Sequence, residues 1–268
     1  MATMRYLSPD QLDRYRRDGF LVINDFLQPN QVRRVEAGIA RACTERAGQT
    51  RDGGGFNLEK VDDDSMNHQA AAKRPGMFRK IQGAAFTIPE VGEVFTRGDL
   101  LDLMEDLIGP EIWYHSSKVM FKPANGGAAK PWHQDAAYWQ AYDPRQITVW
   151  IAIHDADQGN GCVWAIPGSH RLGLVPHAGR ELQVGEGDID VAQAIPVPVA
   201  AGGLLIFHSL VLHMSQRNTS DRDRWSIICD YDCAPNPVFE DIPANRPVGM
   251  DEKNIWSLRR AQQTGAAR

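Results

Sequence analysis

The sequence has few of the features that mark membrane, disulfide-stabilised or nucleic-acid-binding proteins. Its 268 residues include only four cysteines, which form no CxxC pair and are too few for a disulfide scaffold. No apolar run approaches the roughly 18 residues of a membrane span, and the N-terminal residues contain no hydrophobic signal segment. A formal net charge of −5 gives no general attraction to nucleic acid or anionic lipid. We therefore expect a cytoplasmic protein with reduced thiols and neither nucleic acid nor membrane as a partner.

Helical patterns are concentrated in residues 1–111. Ser8-Pro9-Asp10-Gln11 combines an N-cap, a proline at N1 and a glutamine at N3, which predicts a helix ending near Gly19. Apolar residues at helical spacing predict a second helix after Pro29 and a third from about Asp99 to Gly109. Residues 20–23 are typical of a short strand between the first two helices.

From residue 112 to about 235 the chain changes to short strands separated by glycine, proline and asparagine turns. In 147–153 the β-branched residues share one face, and Thr148, Trp150 and Ala152 share the other. In 224–231 a face with Arg224, Ser226 and Asp230 lies opposite a large apolar face, which indicates a polar cavity on one side and a core on the other. This length and pattern favour a single domain, 1–268, in which 236–268 form a C-terminal extension.

Two stretches lack any periodicity. Residues 48–75 contain three successive glycines (53–55) and three successive aspartates (62–64), and residues 172–193 form the second stretch. Long irregular segments in compact domains are commonly lids over a site or solvated loops. We expect residues 48–75 to act as a lid, with a plain solvated connection as the alternative for both stretches.

His133 and Asp135, together with His213, form the most informative pattern in the chain. On an extended segment, side chains two residues apart point to the same side, and a second strand can supply the other histidine. Two histidines and one carboxylate on one face of a metal leave positions open, as suits non-haem Fe(II) oxygen chemistry. A zinc hydrolase or isomerase uses the same ligand types, although the spacing is not that of helical zinc motifs. A barrel that only binds a ligand is a third possibility.

The motifs around these residues occur in an order that identifies a family. Besides Trp132-His133-Gln134-Asp135, the chain has Asn160-Gly161-Cys162, Pro167-Gly168-Ser169-His170, His213-Met214-Ser215 and an arginine, Arg224, eleven residues after His213. Over roughly residues 5–235 the sequence resembles the phytanoyl-CoA dioxygenase family of Fe(II)/2-oxoglutarate oxygenases. Gly203 departs from the family pattern, in which an aspartate often precedes the apolar strand. The resemblance implies a mainly β fold, a double-stranded β-helix of the cupin-like jelly-roll type, with N-terminal helices packed on it.

The resemblance also implies roles for individual residues. His133, Asp135 and His213 would bind Fe(II). Arg224 would hold the distal carboxylate of 2-oxoglutarate, because a guanidinium meets a carboxylate through two hydrogen bonds. Further positions matching the cosubstrate site are Ser215, Gln134, Trp150 and Lys80. Motif proximity and strand parity add four candidates for substrate binding, namely Lys118, Tyr138, Trp139 and Asp230.

The implied reaction couples oxidation of a C–H bond in a small or medium-sized metabolite to conversion of 2-oxoglutarate and O2 to succinate and CO2. Halogenating relatives lack the carboxylate ligand, so Asp135 favours hydroxylation over halogenation. Desaturation, epimerisation and cyclisation remain alternative outcomes of the same iron chemistry. The sequence indicates neither the substrate nor the oligomeric state.

Overall fold

The structure, a computed structural model, describes residues 5–61, 72–138, 145–179 and 182–233. The three helices that the sequence predicts in the N-terminal part are present, and the described residues of this part also contain two further helices and three strands. Helix α1 begins with the predicted capping box: the Ser8 hydroxyl accepts from the Gln11 amide N–H (3.3 Å), and Gln11 Oε1 accepts from the Ser8 amide (2.9 Å). The helices are α1 (Pro9–Asp18), α2 (Pro29–Thr44), α3 (Ala84–Thr87), α4 (Pro89–Phe95) and α5 (Gly98–Ile108).

The described strands form two antiparallel sheets, one large and one small. The large sheet has seven strands in the order β1-β9-β6-β11-β4-β3-β2, and the small sheet has four in the order β5-β10-β7-β8. This is the mainly β, jelly-roll architecture that the resemblance implies. The strands are β1 (Phe20–Ile23), β2 (Phe56–Lys60), β3 (Lys73–Gln82), β4 (Trp113–Lys122), β5 (Lys130–His133), β6 (Ile147–Ala152), β7 (Val163–Ala165), β8 (Ile195–Val197), β9 (Leu204–His208), β10 (His213–Ser215) and β11 (Arg224–Asp232).

Each face of the large sheet packs against a different partner. Ile147, Val149 and Ile151 of β6 belong to the core shared with the helices, whereas Trp150 and Ala152 pack in a second cluster with residues of the small sheet. The strand parity predicted from the sequence is therefore confirmed for β6. Because the second face points into the space between the sheets, its polar residues are brought into a cavity rather than into solvent.

The glycine and serine turn motifs identified in the sequence support the strands that carry the site. Gly161 has φ +81°, and a Cβ there would lie 2.5 Å from the Gln216 carbonyl oxygen, so only glycine fits this turn. Ser169 Oγ accepts a hydrogen bond from the Leu212 amide N–H at 2.9 Å, directly before His213. These contacts help to position β10 within the small sheet.

Several elements differ from the sequence-based expectations. Helices α3 and α4 were not predicted, and β2 together with the start of β3 lies within 48–75, which is therefore not a loop throughout. The part of this stretch with Asp62 to Asp64 is outside the described residues, as is the extension 236–268. In 172–193 two short 3-10 turns occur, Glu186–Asp188 and Val191–Gln193. The lid hypothesis stays a prediction. None of the described helices has the length and apolar character needed to cross a bilayer.

Candidate active site

Three ligand-type side chains converge between the two sheets. His133 ends β5, His213 begins β10, and the two residues are directly paired across these antiparallel strands. Asp135 is not on the extended segment that the sequence suggested, because it begins a 3-10 turn (Asp135–Tyr138) after β5. Its Oδ1 lies 3.6 Å from His133 Nε2 and 3.8 Å from His213 Nε2, and the ligand atoms of all three residues lie within 4.8 Å of one another.

Both imidazoles are oriented to offer a lone pair to a metal. His133 Nδ1 contacts the Pro131 carbonyl at 2.9 Å, and His213 Nδ1 contacts the Val211 carbonyl at 3.0 Å. These contacts place the N–H on Nδ1, so Nε2 is the free acceptor facing Asp135. Burial, reinforced by the nearby His213, lowers the pKa of His133 to about 3. Burial also lowers the pKa of His213. The imidazoles are therefore neutral near pH 7, which is the ligand form.

The Asp135 carboxylate is charged, and a hydroxyl contacts the oxygen that does not face the histidines. Burial alone would raise its pKa, but His213, the His133 contact and Lys118 together hold the pKa of this carboxyl well below its usual range. Thr148 Oγ1 lies 2.8 Å from Asp135 Oδ2 and 2.9 Å from Asp230 Oδ1. One oxygen of Asp135 thus faces the histidines while the other contacts a hydroxyl of β6. An ionised carboxylate with two neutral imidazoles is a donor set that fits a divalent ion such as Fe(II).

Arg224 is a buried cation in the same cavity. Its side chain is at the start of β11, is 3% exposed, and lies with Cζ 5.5 Å from the centre of the Trp150 ring. Nη1 donates to Ser226 Oγ at 3.4 Å, and within the described part of the chain Nε has no hydrogen-bond partner. Burial lowers the pKa of Arg224 to about 10, so the group still carries its charge near pH 7. A buried guanidinium with unsatisfied donors is unfavourable unless an anion pairs with it. The arrangement therefore suits a bound carboxylate.

A cavity of about 480 Å³ connects these groups. It is lined by the three metal-ligand candidates and by Arg224, and also by other residues singled out from the sequence, namely Ser215, Trp150, Lys80, Lys118 and Tyr138. Lys80 lies on β3 within the large sheet, paired with Met120 of β4, although the strand pattern in the sequence begins only at residue 112. The volume is large enough for a five-carbon diacid with a further small molecule.

Comparison with known proteins agrees with this geometry. The sequence model of the phytanoyl-CoA dioxygenase (PhyH) family matches residues 15–226. The chain belongs to this family. It is 23% identical to ectoine dioxygenase of Nocardia farcinica, over 93% of this chain and 86% of that protein. It is 27% identical to phytanoyl-CoA dioxygenase domain-containing protein 1 of Bos taurus, over 82% of this chain and 88% of that protein.

A solved structure shows the same fold. EctD from S. alaskensis, whose crystal structure was determined with 2-oxoglutarate and 5-hydroxyectoine, superposes with a TM-score of 0.71, covering 88% of this chain and 80% of that chain at 19% identity. At this identity the likeness establishes the architecture. Family membership and the His-Asp-His ligand set together make this chain a non-haem iron, 2-oxoglutarate-dependent dioxygenase, with Fe(II), 2-oxoglutarate and O2 as cofactor and cosubstrates.

Two residues singled out from the sequence, Gln134 as a cosubstrate residue and Asp230 as a substrate residue, are outside the cavity lining. Gln134 is 0% exposed, and its amide donates to the carbonyls of Gly173 (2.8 Å) and Leu210 (2.7 Å) and accepts from the Val175 N–H (2.9 Å). It ties two loops together and has no donor left for a cosubstrate. Asp230 is also 0% exposed and lies behind Lys118 and Thr148 rather than at the cavity surface.

The remaining substrate-binding candidates have different positions. Tyr138 is 39% exposed, with its ring 6.1 Å from the ring of His133, and its hydroxyl accepts from Lys130 Nζ at 2.5 Å. Lys118 Nζ donates to Asp230 Oδ2 at 3.2 Å. Trp139 is outside the described residues.

Many of the residues that line the cavity were not predicted as members of the site from the sequence, among them Thr148, Lys130 and Arg79. The sequence could have predicted Thr148 as a cavity residue, because strand parity places it on the same face as Trp150. Lys130 precedes His133 by three residues and carries no motif of its own. Arg79 is adjacent to Lys80, and in a regular strand only one of these two side chains would face the cavity.

Proposed function

We propose that this dioxygenase hydroxylates an unactivated C–H bond of a small or medium-sized metabolite. The observation that carries the proposal is the presence, in one cavity, of the His133, Asp135 and His213 ligand set and the unsatisfied guanidinium of Arg224. A metal site alone is compatible with hydrolysis. An additional buried arginine has a role only if a carboxylate is bound beside the metal.

The chain's own residues would bind the metal and the cosubstrate, orient the substrate and exclude water. The two imidazoles and Asp135 would hold Fe(II), and Arg224, with Ser215 nearby on the small sheet, would hold the far carboxylate of 2-oxoglutarate. Trp150 supports the guanidinium from one side. Iron with 2-oxoglutarate and O2 supplies the oxidising chemistry, in which one oxygen atom enters succinate and one is available to the substrate.

The carboxylate ligand favours oxygen insertion as the outcome. Asp135 would hold the metal at a position that a halide would otherwise take, and its negative charge and its contact with Thr148 favour this role. Desaturation, epimerisation and cyclisation differ only in the fate of the substrate radical. A relative named ectoine dioxygenase gives a precedent for a small-molecule substrate in this family.

The proposal is tested in two steps that do not require the substrate to be identified. First, Fe(II) and 2-oxoglutarate are added anaerobically to the metal-free protein, and a weak visible charge-transfer band from the chelate is expected. A zinc hydrolase or a binding barrel would give no such band. Second, a metabolite screen reports succinate formation, and mass spectrometry of each hit distinguishes addition of one oxygen atom from loss of two hydrogens. Hits that lose two hydrogens without gaining oxygen would replace hydroxylation by desaturation or cyclisation.

A further inference from the structure

Glu59 of β2 is a buried acid in the lining of the active-site cavity. Its side chain is in a residue only 1% exposed, and its two carboxylate oxygens differ in their contacts. Oε1 accepts a hydrogen bond from the Lys60 amide N–H at 3.0 Å, whereas Oε2 has no hydrogen-bond partner among the described residues. A buried carboxylate oxygen without a donor is unfavourable, so Oε2 suits a donor group that enters with a ligand.

The geometry of β2 places Glu59 on the cavity side of the large sheet. The pairing of β2 with β3 is irregular, but at both register shifts the additional residues are on β3. The side chains of β2 therefore keep their alternation. Phe56 and Leu58 pack in the hydrophobic core, and Asn57 and Glu59, which alternate with them, both line the cavity.

The other acids in the described cavity lining already have partners. Asp52 is paired with Lys73 at 3.1 Å and accepts from the Leu58 amide N–H at 2.8 Å. Asp135 faces the two histidines and contacts a threonine hydroxyl. Within the described ranges, in contrast, Glu59 takes part in no ion pair. Glu59 is thus the lining acid whose binding capacity is incomplete.

Neither the metal nor the cosubstrate is a suitable partner for Glu59. The cluster of metal-ligand candidates in the described part of the chain does not include it. Dianionic 2-oxoglutarate offers only acceptor oxygens, so it would repel a carboxylate rather than bind it. Arg224, the candidate partner of 2-oxoglutarate, is on β11, and β4 and β3 separate this strand from β2 by roughly 14 Å. The substrate is the remaining molecule that can supply a donor.

We propose that the substrate carries an N–H or O–H donor group and that Glu59 Oε2 accepts a hydrogen bond from this group. The inference rests on the proposed function, because it assigns Arg224 to 2-oxoglutarate and Glu59 to the substrate. A protonated amine is the stronger partner, since both members of that hydrogen bond are charged.

The contacts of Glu59 indicate how the substrate would be held. The Lys60 amide binds Oε1 and leaves Oε2 for the donor. A glutamate has three side-chain torsions, and side-chain rotations are common on binding, so Oε2 can turn toward the donor as it enters. Binding at β2 would orient the substrate by its amine or hydroxyl end and direct another part of it toward the metal.

The test compares probes of similar size that differ in the ability to donate a hydrogen bond. Hexylamine, protonated at neutral pH, is compared with the hexyltrimethylammonium ion, which has the charge but no donor. 1-Hexanol is compared with its isomer 1-methoxypentane, which accepts but cannot donate. Binding to the anaerobic complex with Fe(II) and saturating 2-oxoglutarate is measured by isothermal titration calorimetry, and the visible band of the chelate is recorded for each protein.

The main variant is Glu59→Gln, which keeps the shape of the side chain. Its amide oxygen can still accept from the Lys60 N–H, but an NH2 group replaces the acceptor Oε2. The control is Glu45→Gln, which removes the same charge at an exposed residue outside the cavity lining. Glu59→Asp, which keeps a carboxylate on a shorter side chain, serves if Glu59→Gln does not fold.

We expect the wild-type complex to bind the donor probe of at least one pair about tenfold or more tightly than its matched partner, as for a hydrogen bond to a charged group. The pair with the larger ratio identifies an amine or an alcohol. Glu59→Gln should lose most of this preference, Glu59→Asp should retain a reduced preference, and Glu45→Gln should keep all of it. The chelate band should be the same in all four proteins.

Three results would overturn the proposal. They are equal binding within both probe pairs, absence of donor-probe binding to the wild type, and an unchanged preference in Glu59→Gln. A weakened chelate band in Glu59→Gln would assign Glu59 to the metal or the cosubstrate instead, and so would also overturn it. Absence of the band in the wild type contradicts the proposed function alone, because the donor preference and its loss in Glu59→Gln can still be measured without iron.

Discussion

Thr148 Oγ1 lies 2.8 Å from Asp135 Oδ2, so a hydroxyl of the large sheet contacts the carboxylate that completes the metal-ligand set. Thr148 Oγ1 also lies 2.9 Å from Asp230 Oδ1, yet a hydroxyl has a single proton to donate. Asp230 has other donors, since Ser116 Oγ and Lys118 Nζ both contact its Oδ2. We infer that the Thr148 proton is directed to Asp135 and fixes the carboxylate with Oδ1 toward the histidines.

Thr148→Val should weaken metal binding without disturbing the fold. Valine has the shape of threonine but leaves Asp135 Oδ2 without its buried donor, and loss of a residue that orients a ligand commonly costs about 10- to 100-fold in metal affinity. Thr148→Ser keeps the hydroxyl and should bind metal nearly as well as the wild type. Competitive Co(II) titration with a chromophoric chelator measures both. Wild-type affinity in Thr148→Val would show that the hydroxyl does not position Asp135.

Asp135→Ala should abolish iron binding and hydroxylation, because the carboxylate supplies both the negative charge and one of three ligand atoms. The fold should persist, since the change removes a polar side chain that contributes little packing. Metal-free protein is compared by thermal denaturation, and metal-dependent succinate formation is measured separately. Asp135→Asn, which keeps the size but not the charge, should show the same loss of activity. Hydroxylation at a near wild-type rate in either variant would refute the ligand assignment.

Arg224→Lys should weaken 2-oxoglutarate binding while leaving iron affinity largely unchanged. Lysine keeps the charge but cannot donate two parallel hydrogen bonds, so the loss should be about 1.5–3 kcal/mol, which is about 10- to 100-fold in affinity. The KM for 2-oxoglutarate and the concentration that half-saturates the visible chelate band should rise together. Arg222→Lys is the matched control, because Arg222 is exposed and paired with Asp157 at 2.6 Å. An unchanged KM in Arg224→Lys would place the cosubstrate carboxylate elsewhere.

Local signals in the sequence predicted those elements whose residues follow one clear periodicity. The capping residues Ser8 and Gln11 predicted α1, and the alternation in 147–153 predicted both β6 and the direction of Trp150. The strands β2 and β3 were not predicted from the sequence, and there is a physical reason for this. Apart from Leu58, the residues of these strands that line the cavity are polar or charged, and the register shifts at Arg79 and near Glu59 break the two-residue period.

Site residues were predictable where motif and side-chain direction agree. His133, Asp135, His213 and Arg224 lie around one cavity, as the family pattern implies. The family resemblance implies a cosubstrate role for Gln134, but its side chain points away from the two ligand candidates beside it and contacts a network of backbone groups. The backbone groups that a buried amide side chain contacts are determined by tertiary packing. No periodicity in the sequence predicts these contacts.

Gln134 provides a test that separates the sequence-based expectation from the structure. Its side chain satisfies the carbonyls of Gly173 and Leu210 and the amide N–H of Val175. Gln134→Leu leaves these buried groups without partners, and each such group costs about 1–3 kcal/mol. We therefore expect a free energy of unfolding at least about 1–3 kcal/mol lower, measured by urea denaturation of the metal-free protein.

In the same variant, the position of the chelate-band titration with 2-oxoglutarate should not change, because Gln134 is outside the cavity lining. Gln134→Glu serves as the matched comparison. The carboxylate can still accept from the Val175 N–H but cannot donate to either carbonyl, so its stability should also fall below that of the wild type. Gln134→Leu with wild-type stability and much weaker 2-oxoglutarate binding would instead support the cosubstrate role that the family resemblance implies.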